Sequence, residues 1–272
     1  MKKTIFITGA SRGLGRIWAE AFLKRGDHVV VAVRTPSSLA DLAKEYPATL
    51  LVLQLDVTNR DDAFKAVAKA KAHFGVIDIL INNAGYGQMG AIEEVSEQEI
   101  RAQLETNVLG LIWLTQAIIP VMREQKSGHI IQLSSALGLV SIPLMGIYSA
   151  SKYAVEGLSE SLAAEVAGFG IKVTILEPNG FATDFSASSL GQSKSLAVYD
   201  EVRNGMFAAQ TAEDTGVPEA TTAAVLKLID SENPPLRMIL GKKGFPWVKY
   251  TYEERIKTWE DWQEVSVAAH GK

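Results

Sequence analysis

Runs of consecutive apolar residues alternate along this chain with stretches in which apolar residues recur every three or four positions. The first pattern fits strands covered on both faces, and the second fits helices that bury one side. Read this way, "KTIFITG" is a strand that ends at a glycine, and a helix follows from Gly13 to about Arg25. "HVVVAV", "TLLVLQL", "VIDILINNAG", "GHIIQLSS" and "IKVTILEP" are further strands. Helices fall between them over "LADLAKEY", "NRDDAFKAVAKAKAHF" and a single long run, "SEQEIRAQLETNVLGLIWLTQAIIPVMREQ". Another covers the region from Tyr148 to about Ala167. A helix over "EATTAAVLKLID" and a strand over "LRMIL" complete the series. Two helix starts carry capping-box spacing, Thr58 with Asp61 and Ser96 with Glu99. Strands alternating with helices predict parallel pairing through right-handed crossovers, hence a doubly wound α/β fold with helices on both faces of a mostly parallel sheet.

Composition narrows the picture by exclusion. The 272 residues are 47% hydrophobic and 21% charged, ordinary for a globular protein, with a formal net charge of -4. That charge gives no electrostatic reason to expect nucleic acid or an anionic membrane as partner. The absence of cysteine excludes disulfides, thiolate metal sites and a thiol nucleophile. The basic start "MKK" is followed by only Ile5–Phe6–Ile7 before Thr-Gly, too short for the apolar core of a signal peptide. "VLGLIWLTQAIIPVM", interrupted by Gln116 and Pro120, falls short of a membrane span and reads as a buried helix. A cytoplasmic location is expected. No linker or repeat divides the chain, so one domain over 1–272 is expected.

The chemistry gathers at the carboxyl ends of the strands, where open α/β sheets bind ligands. The first strand runs into "TGASRGLG", whose Gly9, Gly13 and Gly15 permit a tight turn and close approach to a diphosphate at a helix N-terminus. The fold is therefore read as Rossmann-type, although a purely structural turn would show the same glycines. The other strand ends carry Asn82–Asn83–Ala84–Gly85, Ser134–Ser135 and Glu177–Pro178–Asn179–Gly180. Tyr148 and Lys152 follow the serines on one helical face, and of the 7 tyrosines only Tyr148 has lysine at i+4. An ammonium beside a phenol favours the phenolate, which predicts a lowered Tyr148 pKa and a proton-transfer group usable near neutrality.

These motifs, in this order over roughly residues 4–185 and together with Asn107 in "NVLG", resemble the short-chain dehydrogenase/reductase family, of the carbonyl reductase or alcohol dehydrogenase type. The resemblance implies a core over 1–184 that binds cofactor and carries catalysis, with 185–272 as substrate loop and C-terminal extension. It implies a nicotinamide cofactor held by Gly9, Ser11, Arg12, Gly13, Leu14, Gly15, Asn83, Ala84, Gly85, Pro178, Gly180 and Thr183. Asp56–Val57 resembles the adenine contact. Carbonyl reduction needs a hydride, which no side chain supplies, and a proton. Tyr148 is expected to give the proton, Ser135 to bond the carbonyl oxygen, and Lys152 to tune Tyr148 and hold the ribose. Asn107 would position a water in a relay to the lysine, unless it is a helix kink or a satisfied core amide.

NADP(H) is expected ahead of NAD(H). The acid that binds an unphosphorylated ribose would lie at the end of the second strand, where the chain has Val33–Arg34, while Asp27 lies at the other end. Arg34 and Arg12 suit a 2′-phosphate, unless both are simply solvated. The family's usual Pro-Gly is Pro178–Asn179 here, an exchange a left-handed asparagine would tolerate. Leu139, Ile142, Met145 and the stretch after Phe185 predict a hydrophobic ketone, aldehyde or alcohol as substrate, with 186–215 either a lid or an ordered loop. Ile256, Trp259 and Trp262 form a stripe read as core or subunit contact. The resemblance implies a homodimer or homotetramer, packed through helices around 97–123 and 148–167. The rival readings are a non-catalytic NADP(H)-sensing protein on the same fold and a sugar-nucleotide epimerase or dehydratase.

Overall fold

In a computed structural model, residues 2–183, 189–208 and 215–271 are described. Nine strands occur among them: β1 (Thr4–Thr8), β2 (His28–Val33), β3 (Leu50–Gln54), β4 (Ile79–Asn82), β5 (Gly87–Met89), β6 (Gly128–Leu133), β7 (Ile171–Pro178), β8 (Leu190–Gln192) and β9 (Arg237–Leu240). Seven make one sheet in the order β3-β2-β1-β4-β6-β7-β9, and every pair is parallel. Strand order reverses between β1 and β4, so the ligand crevice of a doubly wound fold lies at the carboxyl ends of those two strands.

The helices are α1 (Gly13–Arg25), α2 (Ala40–Glu45), α3 (Arg60–Phe74), α4 (Glu97–Leu104), α5 (Gly110–Gln125), α6 (Gly146–Val166), α7 (Asp200–Ala208), α8 (Thr221–Asp230), α9 (Gly244–Asp261) and α10 (Gln263–Ala268). Alternate strand residues feed two cores. Ile5, Ile7, Val29 and Val31 pack with Trp18 and Phe22 of α1 and Val225 and Leu228 of α8. Phe6, Val30 and Leu80 pack on the other face with Ala63 and Val67 of α3, Leu114 and Ile118 of α5, and Leu162 of α6. Coverage on both faces explains why the strands read as unbroken apolar runs. Trp18 keeps its polar edge satisfied in the first core by donating to Thr221 Oγ1 at 2.8 Å.

Several expectations are corrected. The single helix over 96–125 is interrupted by a π-turn at Glu105–Leu109. Just after it, a Cβ on Gly110 would lie 2.7 Å from Val57 Cγ2, so α5 restarts with its backbone against that side chain. By length and hydropathy, the Glu97–Gln125 rod is apolar enough to cross a bilayer, contrary to the sequence reading. Leu111, Leu114, Ala117, Ile118 and Met122 face inward, which accounts for much of that hydropathy as core. Asn59, not Thr58, caps α3 by accepting from the Asp62 N–H at 3.1 Å, because Asp56 Oδ1 engages both the N–H and the hydroxyl of Thr58. Ser96 and Glu99 form the expected capping box. Helix α6 begins before Tyr148, at Gly146.

The short parallel pair β5–β8 was not anticipated. It fastens residues 189–193 beside the loop that leaves β4. The following segment is held by Glu94, which accepts from the Leu196 N–H and from Arg203, both at 2.7 Å. The described part of 186–215 is thus an ordered strap; 186–188 and 209–214 lie outside the described residues. The C-terminal stripe is not core: Ile256, Trp259 and Trp262 are 46%, 65% and 64% exposed.

Candidate active site

The glycine turn is built from β1 outward. Gly9 (φ 66°) and Gly13 (φ 59°) take left-handed conformations that side chains resist. A Cβ on Gly9 would lie 2.7 Å from Ala84 Cα, and one on Gly15 would strike the Asn83 amide. Asn83 and Ala84 brace the turn from the neighbouring strand. The Asn83 side chain donates to the carbonyls of Thr8 (2.8 Å) and Gly9 (3.0 Å), and the N–H groups of Asn83 and Ala84 donate to Thr8 Oγ1 at 3.1 and 3.0 Å. Asn83 is therefore an architectural clamp, and Thr8, the polar residue that ends β1, is a site residue the sequence reading missed. The cradle is open where Ser11 and Arg12 are exposed and α1 begins with no side-chain cap and no acidic residue in its first turn. Free N–H groups at a helix start suit a diphosphate, so these residues fit a dinucleotide.

Of the two arginines assigned to a 2′-phosphate, Arg34 is exposed at the end of β2 and close enough to Tyr86 to act on its hydroxyl. Arg12 donates to Ser189 Oγ at 2.8 Å, which links the cradle to the strap. Asp27 is buried and accepts from the Lys3 N–H and from Arg25, well away from the crevice. Val57 is buried against Gly110, beside exposed Asp56.

Asn179 follows β7 without a left-handed φ, correcting the expected reason for its tolerance. Its N–H donates to the Leu240 carbonyl at 3.0 Å. Its amide fits with the nitrogen donating to Leu240 O and the oxygen accepting from the Gly180 N–H at 3.1 Å. The steric concession falls instead on Gly241 (φ 105°), which lies against that amide. Beyond Gly180 the chain returns to the cradle: a Cβ on Gly13 would sit 3.8 Å from Thr183.

Tyr148, Lys152 and Asn107 converge beside this cradle, only 6%, 5% and 2% exposed. Lys152 Nζ donates to the Leu133 carbonyl at the end of β6 (2.7 Å) and lies 5.7 Å from the Tyr148 ring centre. Ser135 bonds the Tyr148 hydroxyl, accepts from the Leu137 N–H at 3.1 Å and sits 3.4 Å from the Pro178 carbonyl. Asn107 lies within the π-turn. Its oxygen accepts from the Tyr86 N–H at 3.1 Å, and its nitrogen donates to the Tyr86 carbonyl (2.9 Å) and Ser151 (3.1 Å). Kink and satisfied amide are therefore both present, and they bring Asn107 to the Tyr148–Lys152 pair: a Cβ on Gly85 would lie 3.1 Å from its oxygen and 3.8 Å from Lys152 Nζ.

Burial decides the charge states. Tyr148 is pushed up to about 12 by loss of solvent, partly opposed by the Ser135 bond, and not lowered as the lysine spacing predicted. Lys152 is pulled down to about 8 by the same loss, with Glu156 opposing it. At neutral pH the pair is a phenol beside an ammonium, a form ready to donate a proton.

A small apolar cluster surrounds the phenol: Met89, Ala91, Leu144 and Met145, with Ile142 and Leu190 packed on it. Leu139 belongs elsewhere. Its carbonyl accepts from Tyr153 (2.6 Å) and from Arg255 of α9 (2.9 Å), so the C-terminal extension props the loop between Ser135 and Tyr148. Sequence spacing carried no sign of that contact.

A glycine-cradled switch point next to a serine–tyrosine–lysine set defines a Rossmann-type oxidoreductase. The family model for short chain dehydrogenase matches residues 3–194, and the chain belongs to that family. Among curated proteins it is 38% identical over 274 residues to oxidoreductase BOA17 of Botryotinia fuckeliana, covering 99% of this chain and 100% of that one. It is also 38% identical to a 3-ketodihydrosphingosine reductase of Bacteroides thetaiotaomicron, over 87% of each. A short-chain dehydrogenase from Streptomyces avermitilis superposes with a TM-score of 0.91 at 37% identity, over 98% of both chains. More distant structures include a serine dehydrogenase with NADP+ (28%, TM-score 0.75, 87% of this chain and 94% of that one). Another is a Burkholderia phymatum family member with NAD (25%, TM-score 0.82, 94% and 95%). A nicotinamide cofactor is thus supported.

Proposed function

We propose that this chain is an NADP(H)-dependent reductase of a hydrophobic ketone or aldehyde, working through Ser135, Tyr148 and Lys152. The observation that carries the reading is the Tyr148 phenol itself, protonated at neutral pH, bonded to Ser135 and enclosed by Met89, Leu144 and Met145. Bound nicotinamide would supply the hydride to the carbonyl carbon. Tyr148 delivers the proton to the oxygen, Ser135 bonds that oxygen as charge develops, and the Lys152 ammonium stabilises the phenolate left behind. Asn107 fixes the Tyr86 backbone that floors the cluster. Arg34 and Arg12 favour a 2′-phosphate, Arg12 by exchanging its Ser189 partner. An apolar wall with few polar groups favours a carbonyl carried on an aliphatic chain, and the relative named for a 3-keto sphingoid substrate supports this class.

We also propose a cytoplasmic location and assembly as a homodimer or homotetramer. The exposed Ile256, Trp259 and Trp262 stripe offers a subunit contact beside the long helices around 97–123 and 148–167.

The test follows absorbance at 340 nm with NADPH or NADH against aliphatic ketones, aryl ketones, aldehydes and keto esters. Turnover favouring NADPH that vanishes in Tyr148→Phe supports the whole reading. Preference for NADH removes the roles given to Arg12 and Arg34. Tight NADPH binding with no turnover replaces the enzyme with the sensing protein.

A further inference from the structure

Beneath the Tyr148–Lys152 face lies a second cluster of buried charge that proton delivery does not itself use. Glu156, one helical turn beyond Lys152 on α6, is 5% exposed, and Glu177, near the end of β7, is fully buried. Arg237 of β9 reaches both: its Nε lies 3.1 Å from Glu156 and 3.7 Å from Glu177, and its Nη2 lies 3.1 Å from Glu160. Gly138 leaves room for the cluster, since a Cβ there would strike Ser134 Oγ and lie 3.1 Å from Glu156 Cγ. Neither oxygen of Glu177 meets an N–H or O–H donor among the described residues; what faces it is the Glu156 carboxyl. Two carboxyl groups in contact away from water resist ionising together, so at neutral pH the pair holds one proton between them. Burial and the Glu156 charge leave that proton on Glu177, which is pushed up to about 8.

The geometry points to Glu156 as a positioning residue: its carboxylate, one turn from Lys152 and balanced on its far side by Arg237, keeps Lys152 an ammonium in the dry interior, while Glu177 holds the shared proton. The charged and titratable groups facing this carboxylate are Lys152 and Glu160 of α6, Glu177 of β7 and Arg237 of β9, with the Ser134 hydroxyl against it. Tyr148 is the titratable neighbour of Lys152 on the other side. The consequence for turnover rests on the reductase reading; the charge state of Lys152 can be measured without it.

The experiment is a pH titration of the cofactor-free full chain labelled with 13C at lysine Cε, with the Lys152 signal assigned by its loss in Lys152→Ala. Removing the negative charge in Glu156→Gln is expected to lower the Lys152 midpoint by about one unit. Glu177→Gln removes a charge that appears only as Glu177 itself ionises near pH 8, so it should lower the midpoint by clearly less than Glu156→Gln does. Equal shifts in both variants, or none in Glu156→Gln, overturn the proposal. If Glu156→Gln does not fold, Glu156→Asp draws the charge back by one methylene and should give a smaller drop in the same direction; no drop overturns it equally. In the wild type, a protonated-carboxyl infrared band should fade as pH rises through about 8 and be missing in Glu177→Gln. Its absence at neutral pH also overturns the proposal. If these titrations behave as expected and no carbonyl is turned over, the reductase reading fails and this assignment stands.

Discussion

The cofactor cradle and the substrate wall meet at Tyr148, yet they are built by different means. The cradle is made of backbone: Gly9 and Gly13 in left-handed conformations, with Thr8, Asn83 and Ala84 bonding main-chain groups across β1 and β4. The wall is made of side chains brought together from afar, such as Met89 with Met145, and the loop before it is propped by Arg255, which bonds the Leu139 carbonyl from 116 residues away. Backbone recognition imposes a fixed spacing of small residues, which a sequence displays. Side-chain walls impose only bulk and polarity, which many sequences satisfy.

The sharpest break of this comparison is at the group both halves share. Tyr148→Phe keeps the ring in its apolar cluster and removes the proton, so turnover is expected to fall about 1,000-fold while cofactor affinity and folding persist. Isothermal titration beside the 340 nm assay separates the two. In the cradle, Gly9→Val adds a side chain to a left-handed residue pressed on Ala84. The expected loss is about 3 kcal/mol of stability in urea denaturation, along with cofactor binding. Asn107→Ala takes the acceptor from the Tyr86 N–H, while the Tyr86 carbonyl keeps its bond from Gln103 at 2.7 Å. It should cost about 2 kcal/mol and reduce turnover, both readable in one chemical denaturation and rate series.

pH sharpens the comparison within the site. Lys152, lowered to about 8, loses its charge as pH rises through that value, far below the Tyr148 transition near 12. Reductive kcat should therefore decline on the alkaline side from about pH 8, through the lysine rather than the phenol. A decline only above pH 10 would contradict the assignment. The smallest effect is expected at the wall. Arg255→Met withdraws the prop from Leu139 and Tyr153 and should raise KM for an aliphatic ketone about threefold with cofactor Kd unchanged.

The same distinction explains what was legible in the chain. The seven sheet strands and their parallel pairing, the glycine turn, and the placing of Ser135, Tyr148 and Lys152 together all follow from apolar runs and from small or polar residues at strand ends. The π-turn was hidden because Glu105–Leu109 keeps ordinary helical residues; only Gly110 and Asn107 together mark it. The rise in the Tyr148 pKa was misjudged because i,i+4 spacing shows the ammonium but not the loss of water. Glu156 and Glu177 stood in plain view, one turn from Lys152 and at the end of an apolar strand. Their carboxyls meet across α6 and β7 beside Arg237, and no local pattern records it. β5 and β8 are three residues each, too short for any periodicity to register.

The sheet order has a further consequence, for assembly. Its first strand lies in the interior, so a chain emerging from its N-terminus makes β1, β2 and β3 before β4 exists to cover the open edge of β1. The Thr4 N–H waits for Asp78, 74 residues later, and Thr8 Oγ1 waits for Asn83 and Ala84. The ligand crevice is thus the joint between an early half and a late half of the protein. A dinucleotide lying across that joint is also a staple, adding stability in proportion to the logarithm of its concentration above Kd. Cells short of the cofactor would hold this protein with its two halves more weakly joined.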